Sequence, residues 1–257
     1  MPQVAFFKYQ GTGNDFIFID NRLDDFPVAT EIINKLCDRR LGIGADGVVL
    51  IQDHPDYDFE MIYFNPDASQ SFCGNASRCA VHFAHELGII HDSAHFLAID
   101  GSHQGSIKDG LVYLRMNDVN TIENPGNAYL INTGSPHYIT FVDHIDETDV
   151  NKEGKAIRYS NPYKEKGVNV NFVQQLPENQ IYVRTYERGV ENETLSCGTG
   201  VTAAALAVSF VGYTSPIKIL TKGGELKIAF DRLSETQFTN IFLIGPAVKV
   251  FSGLIEV

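Results

Sequence analysis

The chain has 257 residues, enough for one large domain or two of ordinary size, and with 44% hydrophobic and 20% charged residues it can build a core rather than stay disordered. Its formal charge of −12 offers nothing that attracts phosphate at long range, which excludes a nucleic-acid partner. The opening residues carry no basic stretch followed by an apolar one, and the longest apolar run, 201–212, is shorter than the roughly 20 residues a bilayer span needs. The expectation is a cytoplasmic chain with no membrane partner, in which Met1 and Pro2 lead straight into the first strand.

Strand and helix signals alternate along the chain. β-rich runs at 16–20, 48–51 and 59–64 are interleaved with helix-like patterns at 30–40 and 75–86, separated by glycine and asparagine clusters. GIGADG at 42–47 satisfies the spacing of a dinucleotide-binding loop, but that loop follows a strand and opens a helix. Here the order is reversed, so the glycines predict a helix-to-strand turn. His82 and His85 lie three apart on the second helix pattern, with His91 beyond it, and no carboxylate spacing completes a metal site with them. They read as solvated or partly buried histidines. No lysine stands out as a pyridoxal-phosphate site, and the expectation is neither metal nor cofactor.

The same order of features then recurs. GTGNDFIFID at 11–20 is echoed by NTGSPHYITFVD at 132–143, and GIGADGVVLI at 42–51 by GVNVNFV at 167–173. The strand signal at 59–64 is echoed at 181–186. Cys73-Gly74-Asn75 and Cys197-Gly198-Thr199 each open an alanine-rich helix, and strand pairs follow around Gly101 and around Gly223-Gly224. Gly13 to Cys73 is 60 positions and Gly134 to Cys197 is 63. Five matches in one order at similar spacing predict an α+β protein of two similar, pseudo-symmetric α/β domains. They divide as 1–120, carrying Cys73, and 121–257, carrying Cys197, and are expected to face each other across a cleft that holds the active site.

Four cysteines are present, none in C-x-x-C spacing, and a cytosolic chain of this size needs no disulfide staples. Cys37 and Cys79 have no counterpart in the repeat and read as small buried hydrophobes. For Cys73 and Cys197 taken singly, a structural and a catalytic reading are both open. Their matched positions add weight to chemistry. Each sulfur is expected at a helix N-terminus, where amides and dipole favour anions and lower a thiol's pKa. One thiolate removing a proton from one face of a carbon, and one thiol returning a proton to the other, would invert a stereocentre. Amides around Gly74-Asn75 and Gly198-Thr199 could hold the charge that develops on a carboxylate.

Seven blocks together resemble the diaminopimelate epimerase family: KYQGTGNDFIFID at 8–20, RRLGIGADG at 39–47, FNPDASQSFCGNASRC at 64–79, TGSPHY at 133–138, GVNVNF at 167–172, YERG at 186–189 and ETLSCGTG at 193–200. The resemblance implies a cofactor-independent isomerase that interconverts LL- and meso-diaminopimelate in lysine and peptidoglycan-precursor biosynthesis, with a β-barrel-like sheet around a helix in each domain. Its catalytic pair falls on Cys73 and Cys197, and its α-carboxylate amides on Gly74, Asn75, Gly198 and Thr199. Asn14 falls near the reacting end, and Asn65, Asn169, Glu187 and Arg188 at the distal amino-acid end. A small-molecule substrate and a homodimer are expected. The chain departs from the family at Ser135, where asparagine is usual, at Gly47, where some members have glutamine, and at Glu191-Asn192, where a glycine is usual. A proline- or hydroxyproline-type racemase and a non-catalytic amino-acid-binding protein are the competing readings.

Overall fold

The computed structural model describes residues 3–257; Met1 and Pro2, expected to lead into the first strand, lie outside the described residues. Two compact units are present. The first runs through Leu114 and takes in Gly245–Val257, and the second is Arg115–Ile244.

The first unit contains β1 (Gln3–Gly11), β2 (Asn14–Asp20), α1 (Thr30–Cys37), β3 (Gly47–Gln52), β4 (Phe59–Phe64), α2 (Gly74–Glu86), β5 (Ser93–Ala98), β6 (Gly101–Lys108) and β7 (Leu111–Arg115). β1 and β2 form an antiparallel hairpin that turns at Thr12-Gly13, both at positive φ. β2 pairs parallel with β3 and β4 with β5, while β3–β4, β5–β6 and β6–β7 are antiparallel. Parallel neighbours need a crossover connection; α1 and α2 supply the two. β3 is buried along GVVLI, the continuous apolar run of a strand covered on both faces. Ile33, Leu36 and Cys37 of α1 cluster with Ile17, Ile19, Val48 and Leu50 on one face. On the other face α2 packs against β1, β2, β3, β4 and β6, so the sheet wraps around that helix. α1 stops at Cys37, short of the 30–40 pattern, because Asp38 Oδ1 accepts from the amides of Arg40 and Leu41 and turns the chain out of the helix. GIGADG makes the helix-to-strand turn read from the sequence: Gly44 N–H donates to Leu36 O at 2.9 Å and Ala45 N–H to Cys37 O at 3.1 Å.

The second unit repeats this order with β8 (Ile122–Glu123), β9 (Ala128–Asn132), β10 (Pro136–Phe141), α3 (Val150–Arg158), β11 (Asn169–Leu176), β12 (Gln180–Glu187), β13 (Asn192–Thr194), α4 (Gly198–Val208), β14 (Ile217–Thr221), β15 (Gly224–Arg232) and β16 (Phe238–Gly245). β9–β10 corresponds to the β1–β2 hairpin, with Gly134 at φ 109° where Gly13 has 83°. The parallel pairs β10–β11 and β12–β14 again carry helical crossovers, α3 and α4. α4 reads GTGVTAAALAV, apolar nearly all round, and it is buried accordingly against β9, β10, β11, β12, β14 and β15.

The last strand, β17 (Val248–Glu256), pairs antiparallel with β1 from Gln3↔Glu256 to Gln10↔Val248. The division at 120/121 is therefore displaced. The junction falls at Leu114/Arg115, and the C-terminal strand belongs with the first unit because its ladder hydrogen bonds are made there. Among the described residues no helix is long and apolar enough to cross a membrane.

Candidate active site

Cys73 and Cys197 are the N-cap residues of α2 and α4, and their backbones match: φ −137°, ψ 113° for one and φ −120°, ψ 112° for the other. Each cysteine carbonyl accepts the first helical hydrogen bond, from Ser77 N and Val201 N, both at 2.9 Å. Neither side chain caps its helix. A helix N-terminus favours anions through its first-turn N–H groups and its dipole; the residues there are Gly74-Asn75 in one unit and Gly198-Thr199 in the other.

In the first unit Cys73 Sγ lies 3.7 Å from Asn14 Oδ1, which also accepts from Asn75 Nδ2 at 3.2 Å. Asn14 Nδ2 donates to Asp46 Oδ2 at 2.5 Å. A carboxylate only accepts, so Asp46 fixes the Asn14 amide with its carbonyl oxygen toward the thiol. Asp46 is held in turn by Arg39 at 2.7 Å, and Arg39 also grips Asp15 with both amino groups, at 2.6 and 3.0 Å. Lys8 completes the cluster on Asp15 at 2.6 Å. Burial raises the Asp15 carboxyl, but the Arg39 and Lys8 bonds overcome it and leave the group at about 2. Asp15 adjoins Asn14 in the chain, whereas Arg39 and Asp46 reach it from the turn between α1 and β3, so no local pattern marks the three as a cluster.

In the second unit Cys197 Sγ lies 3.5 Å from Thr199 Oγ1, and Thr199 Oγ1 is 2.9 Å from His137 Nε2. His137 Nδ1 meets Asn171 Nδ2 at 3.1 Å, and Thr133 Oγ1 donates to Thr199 O at 2.8 Å. Burial, helped by the charge of Arg188, pulls His137 down to about 3. His137 and Asn171 carry no signal in the sequence beyond lying in the blocks at 133–138 and 167–172. Gly200 is needed in the first turn of α4, because a Cβ there would stand 2.5 Å from Asn171 Oδ1 and 3.4 Å from Cys197 Sγ.

Of the expected distal-end residues, Asn169 and Arg188 come together around Ser135. Asn169 Nδ2 donates to Ser135 Oγ at 2.9 Å, Arg188 Nη2 to the same oxygen at 3.2 Å, and Arg188 N–H to Asn169 Oδ1 at 2.8 Å. Arg188 Nη1 reaches Lys166 O at 2.9 Å, and among the described residues no carboxylate pairs with its guanidinium. Glu187, beside it on β12, accepts from Thr194 Oγ1 at 2.8 Å. Asn65 belongs to the first unit, where its Nδ2 donates to Ser69 and Ser71 across the turn before α2.

The departures from the family have local reasons. At position 47 the Tyr63 ring occupies the space a side chain would need. Glu191 takes the positive φ, 55°, that suits the usual glycine. Its carboxylate then accepts from Tyr159 and Tyr186 at 3.0 and 3.1 Å. Cys37 and Cys79 are buried thiols, pushed up to about 11 and about 12 by burial, as inert structural cysteines should be.

A duplicated α+β fold that buries a helix behind a capping cysteine in each unit defines the structural class. Solved structures with this fold include a PhzF-family phenazine biosynthesis protein from Bacillus anthracis, with TM-score 0.76 and 12% identity over 100% of both chains. A hydroxyproline epimerase from Agrobacterium vitis gives TM-score 0.69 and 15% identity, over 98% of this chain and 92% of that one. The family described as diaminopimelate epimerase matches residues 6–112 and 129–250. A diaminopimelate epimerase of Flavobacterium psychrophilum is 50% identical over 257 residues, covering 98% of this chain and 100% of the relative. The chain belongs to the diaminopimelate epimerase family.

Proposed function

We propose that the protein interconverts LL- and meso-diaminopimelate, serving lysine and peptidoglycan-precursor synthesis, with Cys73 and Cys197 as the acid–base pair. The observation that carries this reading is the equivalence of the two cysteines: same residue, same cap position, same backbone, in each of two repeated units. Inversion needs one base and one acid acting on opposite faces of one carbon, and a duplicated half-site supplies them. The thiolate takes the α-proton, the other thiol delivers its own proton to the opposite face, and the two exchange protonation states in each turnover. Charge that builds on the α-carboxylate is held by the N-terminal amides at Gly74-Asn75 and Gly198-Thr199, which act as an oxyanion hole. No step calls for a cofactor.

Asn14 positions the reacting end beside Cys73. Arg188 suits a carboxylate because its guanidinium lacks an acidic partner among the described residues and can bind two oxygens at once. Glu187 and the carbonyl oxygens of Asn65 and Asn169 suit an ammonium. A substrate with an amino-acid group at each end uses both sets, whereas proline has no second end for them. A cytoplasmic location fits a biosynthetic reaction. A homodimer fits the exposed Val248, Val250, Phe251 and Leu254 of β17, and sedimentation of wild type against Phe251→Glu tests it.

The reduced protein is incubated with LL-diaminopimelate in deuterated water beside Cys73→Ala and Cys197→Ala. Meso product deuterated at one α-carbon, absent in both variants, is the expected result. No exchange in folded, reduced wild type removes diaminopimelate as substrate and moves the test to proline and hydroxyproline. Binding of these ligands without exchange would leave a binding protein.

A further inference from the structure

We propose that Arg78 is a positioning residue for the Cys73 half of the reaction: its buried guanidinium sets the Asn75 amide and supplies the positive charge that an anion at the N-terminus of α2 neutralises. This rests on the reading of Cys73 as a reacting thiol.

Among the described residues Arg78 is the largest fully buried side chain, at 0% exposure. Burying a charge is costly unless it is paired. Among the described residues no carboxylate pairs with it. Nη1 donates to Asn75 Oδ1 and Nη2 to Thr12 Oγ1, both at 3.0 Å, and both acceptors are neutral. Nε is buried with no hydrogen-bond partner. The guanidinium also sits one turn into α2, at the helix end whose dipole is already positive. Two positive sources therefore share a buried place, and the charge that balances them must come from an anion.

Two thiols lie in its field, Cys79 and Cys73, and burial itself pulls the guanidinium down from its ordinary value. Cys79 is pushed up to about 12 and stays neutral. That leaves a thiolate at Cys73, or a carboxylate bound at Gly74-Asn75, as the counter-charge. The hydrogen bonds set the amides between Arg78 and Asp46 and leave an acceptor, Asn14 Oδ1, facing the Cys73 thiol, so in the ligand-free enzyme the charge of Arg78 works against that acceptor to lower the thiol's titration. Arginine only donates and aspartate only accepts, so Arg78 at one end and Asp46 at the other fix every amide between them. Asn75 turns its oxygen to Arg78 and its NH2 to Asn14, and Asn14 turns its NH2 to Asp46 and its oxygen to Cys73. The close fit extends to Gly11 on β1, where a Cβ would stand 3.1 Å from Asn75 O and 3.2 Å from Arg78 Nη2.

The test is the pH profile of alkylation by iodoacetamide in the ligand-free enzyme, resolved by mass spectrometry into Cys73 and Cys197, for wild type, Arg78→Met and Arg78→Lys. Folding is checked by circular dichroism, and KM and kcat are measured on the same samples. In Arg78→Met the Cys73 midpoint rises by about one pH unit or more while that of Cys197 stays put, and KM rises about tenfold. Arg78→Lys keeps the charge but not both hydrogen bonds, so its Cys73 midpoint stays within about half a unit while KM still rises. A folded Arg78→Met whose Cys73 profile is unmoved overturns the proposal. Should that variant not fold, Arg78→Lys decides: a midpoint displaced by a full unit despite the retained charge, or a wild-type KM, overturns it. The alkylation readout needs no turnover, so it separates failure of this proposal from failure of the assigned reaction.

Discussion

Asn171 donates from Nδ2 to Nδ1 of His137 at 3.1 Å, and that bond settles which ring nitrogen carries the proton. The Asn171 amide cannot be reversed, because Nδ2 also donates to Tyr138 O at 3.3 Å while Oδ1 accepts from Thr185 Oγ1 at 2.9 Å. His137 Nδ1 is thus the acceptor, and Nε2 holds the hydrogen and donates to Thr199 Oγ1. The Thr199 hydroxyl can then donate to Cys197 Sγ, 3.5 Å away, when the sulfur is a thiolate. His137, held neutral by burial, acts as a fixed donor here and not as a titrating base.

Replacing Asn171 by Asp reverses this chain. The carboxylate accepts from His137, moves the hydrogen to Nδ1 and turns Nε2 into an acceptor that draws the Thr199 hydrogen away from Cys197. The expected outcome is a fall of about tenfold in kcat, the size of one charge-stabilising hydrogen bond. Nitrogen-15 spectra of the imidazole check it directly: an Nε2–H ring in wild type and an Nδ1–H ring in the variant.

Gly200→Ala sets two effects against each other. Alanine favours a helix over glycine by about 1 kcal/mol, but the new methyl would stand 2.5 Å from Asn171 Oδ1 and 3.3 Å from Cys197 Cβ. Overpacking of this kind costs about 1–3 kcal/mol, so the clash wins. Lower melting temperature together with a loss of kcat/KM of at least about tenfold is expected. A variant that melts higher and turns over normally would show that the close approach is dispensable.

Ser135→Ala removes the oxygen that Asn169 and Arg188 share, leaving the guanidinium less firmly held. KM should rise about three- to tenfold with little change in kcat, the loss of about one hydrogen bond in binding that does not change at the reacting carbon. Steady-state kinetics distinguish this from a fall in kcat alone, which would place Ser135 with the reacting end instead.

Asp15→Asn tests the charge cluster behind Asn14. The folded carboxyl is depressed to about 2 from its ordinary 3.8, so its stabilisation is fully present above 3.8 and is lost as pH falls toward 2. The variant should be less stable at neutral pH by about 1 kcal/mol, a figure held down because Arg39 is largely exposed and screened by water. Its acid limb should be flatter between those two pH values. Urea midpoints at pH 7 and pH 3 give the comparison, and equal losses at both would show that the charge of Asp15 is not what stabilises.

Much of the site was legible because it is written in local patterns. The alanine-rich runs after Cys73 and Cys197 form helices by their own propensity, and an N-cap is a position that sequence marks. The repeat gave each cysteine its counterpart. It could not show that β17 returns to β1, since an antiparallel partner at the other end of the chain leaves no periodic signal. Asn65 lies in the first unit and Asn169 and Arg188 in the second, so no local pattern in the chain could relate them.

By itself, then, the sequence determined the family, the duplication, the two capping cysteines and the residue types of the distal cluster, because each follows from motif, spacing or helix signals within a few turns of chain. Only the tertiary structure decided which buried groups stand behind them. His137 meets Asn171 because β10 and β11 pair parallel with His137 opposite Asn169, bringing Asn171 beside it on the same face. Arg78 lies beside Thr12 and Asn75, with no carboxylate partner among the described residues, because α2 is wrapped by β1 and its neighbours. Register and burial fix such pairings, and both are properties of the folded chain rather than of any segment in it.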